Sequence, residues 1–180
     1  MAMETMIMPT MAEQAHTAVA AVALPSMMAV THYMGLLMAN QPWNILFFMA
    51  IPVILAEALT ATEFFVAFRH DYTSPLRRVN KIIGISLGFY FTIIVAYLIA
   101  TVVPSIIWRG PIDVISVFFY LIGFIPLLGI ALLELGVIKK NASPDKHMVY
   151  HIGLLITFLV FAHIAMIFGM LNPTLFGYIG

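Results

Sequence analysis

From residue 82 to residue 108 the chain carries no charged side chain. A stretch of that length and polarity suits one environment, because about 20 apolar residues in helical form cross the hydrocarbon layer of a bilayer. Lipid offers no hydrogen bonds, so such a segment must satisfy its backbone internally, as a helix. Four stretches meet the requirement, roughly 43–68, 82–104, 114–138 and 149–171. Composition agrees: the chain is 63% hydrophobic and 9% charged, where soluble domains run at about 25% charged. The connections leave no room for an extramembrane domain, so consecutive helices are antiparallel neighbours. The expected fold is an all-α integral membrane protein, an antiparallel four-transmembrane-helix bundle. A Met-rich leader and interfacial helix occupy residues 1–42, the membrane domain residues 43–172, and a short outer tail residues 173–180.

The leader admits two readings. "AHTAVAAVALPSMMAVTHYMGLLMA" (15–39) is apolar with Pro25 in its middle. Residues 26–39 form a helix on the outer face, capped by Ser26 and ended by "NQP" at 40–42; alternatively 15–39 is a fifth, kinked span. A basic n-region is missing, which argues against a secretory signal peptide. Met27 and Met28 are alternative starts, which would make the leader dispensable.

Orientation follows from the cations. Arg69, Arg77, Arg78 and Lys81 fall in the 69–81 connection, and Lys139, Lys140 and Lys146 in the 139–148 connection. Arg109 alone lies on the other side. The positive-inside rule makes both basic loops cytoplasmic and both termini external. The membrane is the cytoplasmic (inner) one if the source is bacterial. Trp43, Trp108 and Tyr178 fall near the outer boundary, as an aromatic belt places them.

Several function classes drop out. There is no Cys, hence no disulfide and no thiol chemistry. Formal charge is zero, and the basic loops are explained by topology, so nucleic acid is not an expected partner. Phosphate loops, zinc-protease motifs and nucleophile elbows are absent. An enzyme acting alone on a soluble substrate is therefore not expected.

The polar residues inside the spans carry the functional reading, since ionisable groups at membrane depth are costly. Glu57, Thr60 and Glu63 share a sector of about 120° on the first span, expected to face the bundle interior. On the third span Ser116, Tyr120, Gly123, Leu127 and Glu134 share one stripe, and Pro126 should kink the helix and free a carbonyl one turn earlier. Gly84 and Gly88 on the second span allow close helix approach. By helical rise, Glu63, Glu134 and His151 lie roughly 4–8 Å from the cytoplasmic ends and can form one layer. Glu57 and His163, roughly 16–22 Å in, can form a second. A purely structural alternative pairs Glu134 with Lys139 or Lys140 and Glu63 with Arg69.

In the outer half, "HIAMIFGM" places His163, Met166 and Met170 on one face of the fourth span. Imidazole and thioether suit Cu(I) or axial ligation of haem iron. Met49, or His32 from the leader, is the candidate second ligand from elsewhere; packing alone is the alternative explanation of the same methionines. The leading expectation is a redox-associated membrane subunit with an interior Glu/His site, holding haem or copper near the outer face and handling protons or quinone. An accessory subunit of a larger membrane complex, without its own cofactor, is the alternative. An oligomeric soft-metal or ion transporter is the third reading. Lipid and other membrane subunits are the expected partners.

Overall fold

The computed structural model describes residues 30–69, 73–139, 141 and 143–173. Ser26, Met27, Met28, Lys140 and Tyr178 lie outside the described residues, as does the leader as far as residue 29. The described residues are helical, without a strand. A short helix α1 (His32–Met38) precedes four membrane-length segments: α2 (Trp43–Arg69), α3 (Pro75–Thr101), α4 and α5 (Pro111–Ile122 and Phe124–Glu134, together one span) and α6 (Pro144–Met170). All four segments are long and apolar enough to cross a membrane. The chain is an integral membrane protein built as a four-helix bundle.

Local sequence explains where each helix starts. Ser74 accepts a hydrogen bond from the Arg77 N–H (3.3 Å) and Pro75 takes the first helical position, where its missing N–H costs nothing. Ser143 and Pro144 occupy the same two positions before α6. The second and fourth spans therefore begin earlier than their apolar runs, and Arg77, Arg78 and Lys81 are helical residues, not loop residues. At the other end of the molecule Thr31 caps α1, accepting from the Met34 N–H (3.3 Å). The described part of the leader helix is seven residues long.

Proline shapes the two interrupted spans. Pro52 has no N–H, so carbonyls one turn earlier lose a helical donor. Over Leu46–Ala50 the α2 helix widens into a π turn. Hydroxyls from other spans replace the missing donor: Tyr120 donates to the Phe48 carbonyl (2.8 Å) and Tyr90 to the Phe47 carbonyl (3.0 Å). In the third span the helix breaks at Gly123, one turn before Pro126.

Packing sets the helix order. α3 lies against α5 and α2, and α6 lies against α4 and α5. At Gly88 the backbones of α3 and α5 come close: a Cβ there would sit 2.5 Å from the Leu127 carbonyl oxygen and 2.7 Å from the Ala131 Cβ. Leu59, Leu87, Leu127 and Ile130 are fully buried, joined by Phe91, Leu155 and Phe158. α2 buries only a narrow stripe, Pro52, Ala56, Leu59, Glu63 and Val66. That narrow stripe corrects the expected inward sector. Glu63 faces the interior, whereas Glu57 and Thr60 lie on the outer surface of the bundle. One contact face less than 120° wide cannot cover all three.

Candidate functional site: a polar ring across four spans

One turn below the apolar core, toward the basic loops, every span contributes to a closed ring of polar side chains. α2 supplies Glu63, α3 supplies Arg77 and Asn80, α5 supplies Glu134 and α6 supplies His151. Arg77 Nη2 donates to both oxygens of Glu134, at 2.7 and 2.9 Å. Arg77 Nη1 donates to Asn80 Oδ1 (2.9 Å). Asn80 Nδ2 donates to Glu63 Oε2 (2.7 Å) and to Thr62 Oγ1 (3.0 Å). His151 closes the circuit, with Nδ1 3.0 Å from Glu63 Oε2 and Nε2 3.3 Å from Glu134 Oε1.

Burial makes these contacts consequential. Glu63 and Glu134 are each 4% exposed, and His151 1%. Carboxylates so placed survive only when paired and hydrogen-bonded. Glu134 is well served, since the Arg77 Nη2 donates to both of its oxygens. Glu63 is served through one oxygen; its Oε1 and both imidazole nitrogens lack an aligned hydrogen-bond partner. The two ring nitrogens thus lie at ion-pair distance from carboxylates on either side, without hydrogen-bond alignment to either. A neutral imidazole has one N–H and serves one carboxylate at a time; the imidazolium serves both. With the second proton the charges of Glu63, Glu134, Arg77 and His151 cancel.

Small residues and apolar neighbours hold the ring in place. A Cβ on Gly84 would lie 3.1 Å from the Ile130 side chain, a tight contact, and 3.5 Å from His151 Nε2, an ordinary one, so the bare backbone there lets α3 lie close to Ile130 beside the imidazole. On the far side Leu59, Leu87, Ile130 and Leu155 seal the ring from the other half of the membrane. On the near side a cavity of about 460 Å³ opens toward the basic loops, with Glu63, Glu134 and His151 among its lining. His147 also lines it, its Nε2 3.2 Å from the Leu133 carbonyl oxygen.

The structure brings Glu63, Glu134 and His151 together and separates the other candidates. Glu134 pairs with Arg77 rather than Lys139, whose ammonium lies 5.1 Å from the Tyr150 ring centre. Glu63 turns to Asn80 and His151 instead of Arg69. Glu57 and His163 form no second layer. Counted from the contact of Glu63 with His151, Glu57 is six residues farther along its helix and His163 twelve, a depth difference of about 9 Å. Both lie on the outer surface, and the His163 Nδ1 is 2.6 Å from the Leu159 carbonyl oxygen of its own helix. Glu57 has no hydrogen-bond or ion-pair partner among the described residues.

Met166 and Met170 share that exposed face of α6, and Met49 is exposed on α2. His32 is engaged elsewhere: its N–H donates to Asp113 Oδ1 (2.6 Å) and its ring Nδ1 lies 2.5 Å from Oδ2. Asp113 is fully buried in the first turn of α4, where the helix N-terminus favours an anion. Arg109 reinforces this corner by donating to the Val30 carbonyl and, through its backbone N–H, to Asp113 Oδ2 (3.2 Å). With the Thr31 hydroxyl donating to the Gly169 carbonyl (2.6 Å), these bonds dock α1 on the spans. Burial raises the Tyr33 phenol above its ordinary 10.0 in the same corner. Among the described residues no cluster of three or more His, Cys, Asp or Glu is arranged to hold a metal.

Sequence reasoning passed over Arg77, Asn80 and Asp113. The signals were present: Ser74–Pro75 marks a helix start that puts Arg77 and Asn80 on one face, and Pro111-Ile-Asp113 places an acid in a first turn.

A bundle of four apolar helices tied near one end by a buried Glu–Arg–Asn–Glu–His ring defines a small polytopic α-helical membrane protein with an interior ionisable site. The chain belongs to a family of unknown function, DUF6803, whose model matches residues 28–179. No curated protein and no solved structure matches the chain.

Proposed function

We propose that this chain is a subunit of a larger membrane complex in which Glu63, His151 and Glu134 exchange protons with the water at the basic end. The observation that carries the reading is the position of the His151 ring, buried between two carboxylates from different spans and bordering a cavity. A proton arriving through the cavity can sit on either ring nitrogen, and the identity of the partner carboxylate changes with it. The positive-inside rule assigns that end to the cytoplasm. The apolar seal above the ring favours exchange with one side over conduction across the membrane, which weighs against the transporter reading.

The redox association keeps its proton-handling half in this proposal. A haem or copper on His163 and Met166 would draw its remaining ligands from another chain, because both face outward. Glu57 favours a subunit role: a carboxyl near mid-membrane on the outer surface is costly against lipid, and a neighbouring helix would relieve that cost. Nitrogen-15 spectra of histidine-labelled protein in nanodiscs test the core of the proposal. The His151 ring protons should exchange with water, and Glu63→Gln should change the ring signals. A single tautomer that does not exchange and ignores the substitution defeats it.

A further inference from the structure

The mouth of the cavity carries cations that the ring does not use. Arg77, Arg78, Lys81 and Lys139 line it against two carboxylates, Glu63 and Glu134. Two positive charges are therefore in excess before either histidine is counted. Arg77 is committed to Glu134 and Asn80. Arg78 and Lys81 have no hydrogen bond or ion pair among the described residues.

Backbone polarity adds to the same field. Thr73 and Ser74, at the start of α3, and Pro144, the first residue of α6, also line the cavity. Two helix N-termini thus open on it, each equivalent to roughly half a positive charge. The carboxylates that line the cavity, Glu63 and Glu134, are already bound into the ring, and Asp145 in the first turn of α6 lies outside that lining. About 460 Å³ falls within the usual range of small-ligand sites, about 300–1,000 Å³. Leu133, Ile138 and Met148 give the walls an apolar part.

We infer that this cavity binds a phosphate-bearing anion, held by Arg78 and Lys81 at the start of α3, with the α3 and α6 N-termini behind it. Basic pockets between spans at a membrane surface suit lipid phosphates, and a free phosphate presents the same chemistry. The inference does not rest on the proton reading, since neither Arg78 nor Lys81 belongs to the ring.

Thermal unfolding of the full chain in detergent tests it, with inorganic phosphate, dihexanoyl phosphatidic acid and dihexanoyl phosphatidylcholine as probes. Phosphatidic acid should raise the Tm saturably. Half-saturation should move up roughly fivefold for each of Arg78→Gln and Lys81→Gln, corresponding to about 1 kcal/mol per cation. Lys146→Gln, an exposed lysine outside the cavity, should bind as the parent does. A shift with inorganic phosphate as well identifies the phosphate group as sufficient; a shift with phosphatidic acid alone identifies a lipid headgroup. Stabilisation by neither anion, equal stabilisation by phosphatidylcholine, or binding undiminished in the double variant overturns the inference.

Discussion

Replacing Arg77 with Met probes the ring most directly. The guanidinium donates twice to Glu134 and once to Asn80. Removing it leaves Glu134, 4% exposed, with only the His151 Nε2 at 3.3 Å, and leaves Asn80 Oδ1 without its donor. Breaking a buried pair from one side costs about 3–5 kcal/mol. The Arg77 side chain is 18% exposed, so water offsets part of this, and about 3 kcal/mol is expected. Arg77→Met with Glu134→Leu removes both charges together and should cost only the Asn80 acceptor and the His151 Nε2 contact, about 1–2 kcal/mol. Glu134→Leu alone strands a partly exposed guanidinium and should cost about 1–2 kcal/mol, so the double-mutant cycle should return a coupling energy of about 2 kcal/mol or more. Denaturant unfolding in mixed micelles, read by the tryptophan signal, measures it. Additive single effects, or a single effect below about 1 kcal/mol, would refute the idea that this pair is buried and energetically coupled.

Three further outcomes follow from the packing. Gly88→Ala should lower stability by about 1–3 kcal/mol, because its Cβ meets backbone at 2.5 Å; Gly84→Ala, meeting side chains at 3.1 Å and beyond, should cost less in the same unfolding assay but disturb the His151 ring signals. Tyr120→Phe withdraws the donor from the Phe48 carbonyl and should cost about 1–2 kcal/mol, with a smaller loss in a Pro52→Ala background, where a backbone N–H returns. Glu57→Leu should leave the isolated chain folded and as stable as before, since Glu57 has no partner among the described residues; an unfolded variant would show that the side chain holds the bundle together.

How far the site was legible depends on the residue. The grouping of Glu63, Glu134 and His151 at one depth follows from helical rise, because rise is the same for every α-helix. His163 was harder, since its depth depends on a helix start that the apolar run misplaces; Glu57 sits on a helix that ends at Arg69, where its apolar run ends, and only its direction was hidden. Pro75 and Pro144 start α3 and α6 ahead of their hydrophobic stretches. The same shift hid Arg77 and Asn80, which resemble loop residues until Ser74 is read as a cap.

Hydropathy alone determined that four segments are long and apolar enough to cross a membrane, because transfer to lipid is a property of composition. It could not choose between Glu57 and Glu63. Their angular separation is fixed by the helix, but the direction the helix faces is set by its neighbours. Here the close approach of α3 and α5 at Gly88, and of α3 to Ile130 at Gly84, shapes the bundle interior that receives Glu63. Glu57 is left on the outside, a result only the packed spans could decide.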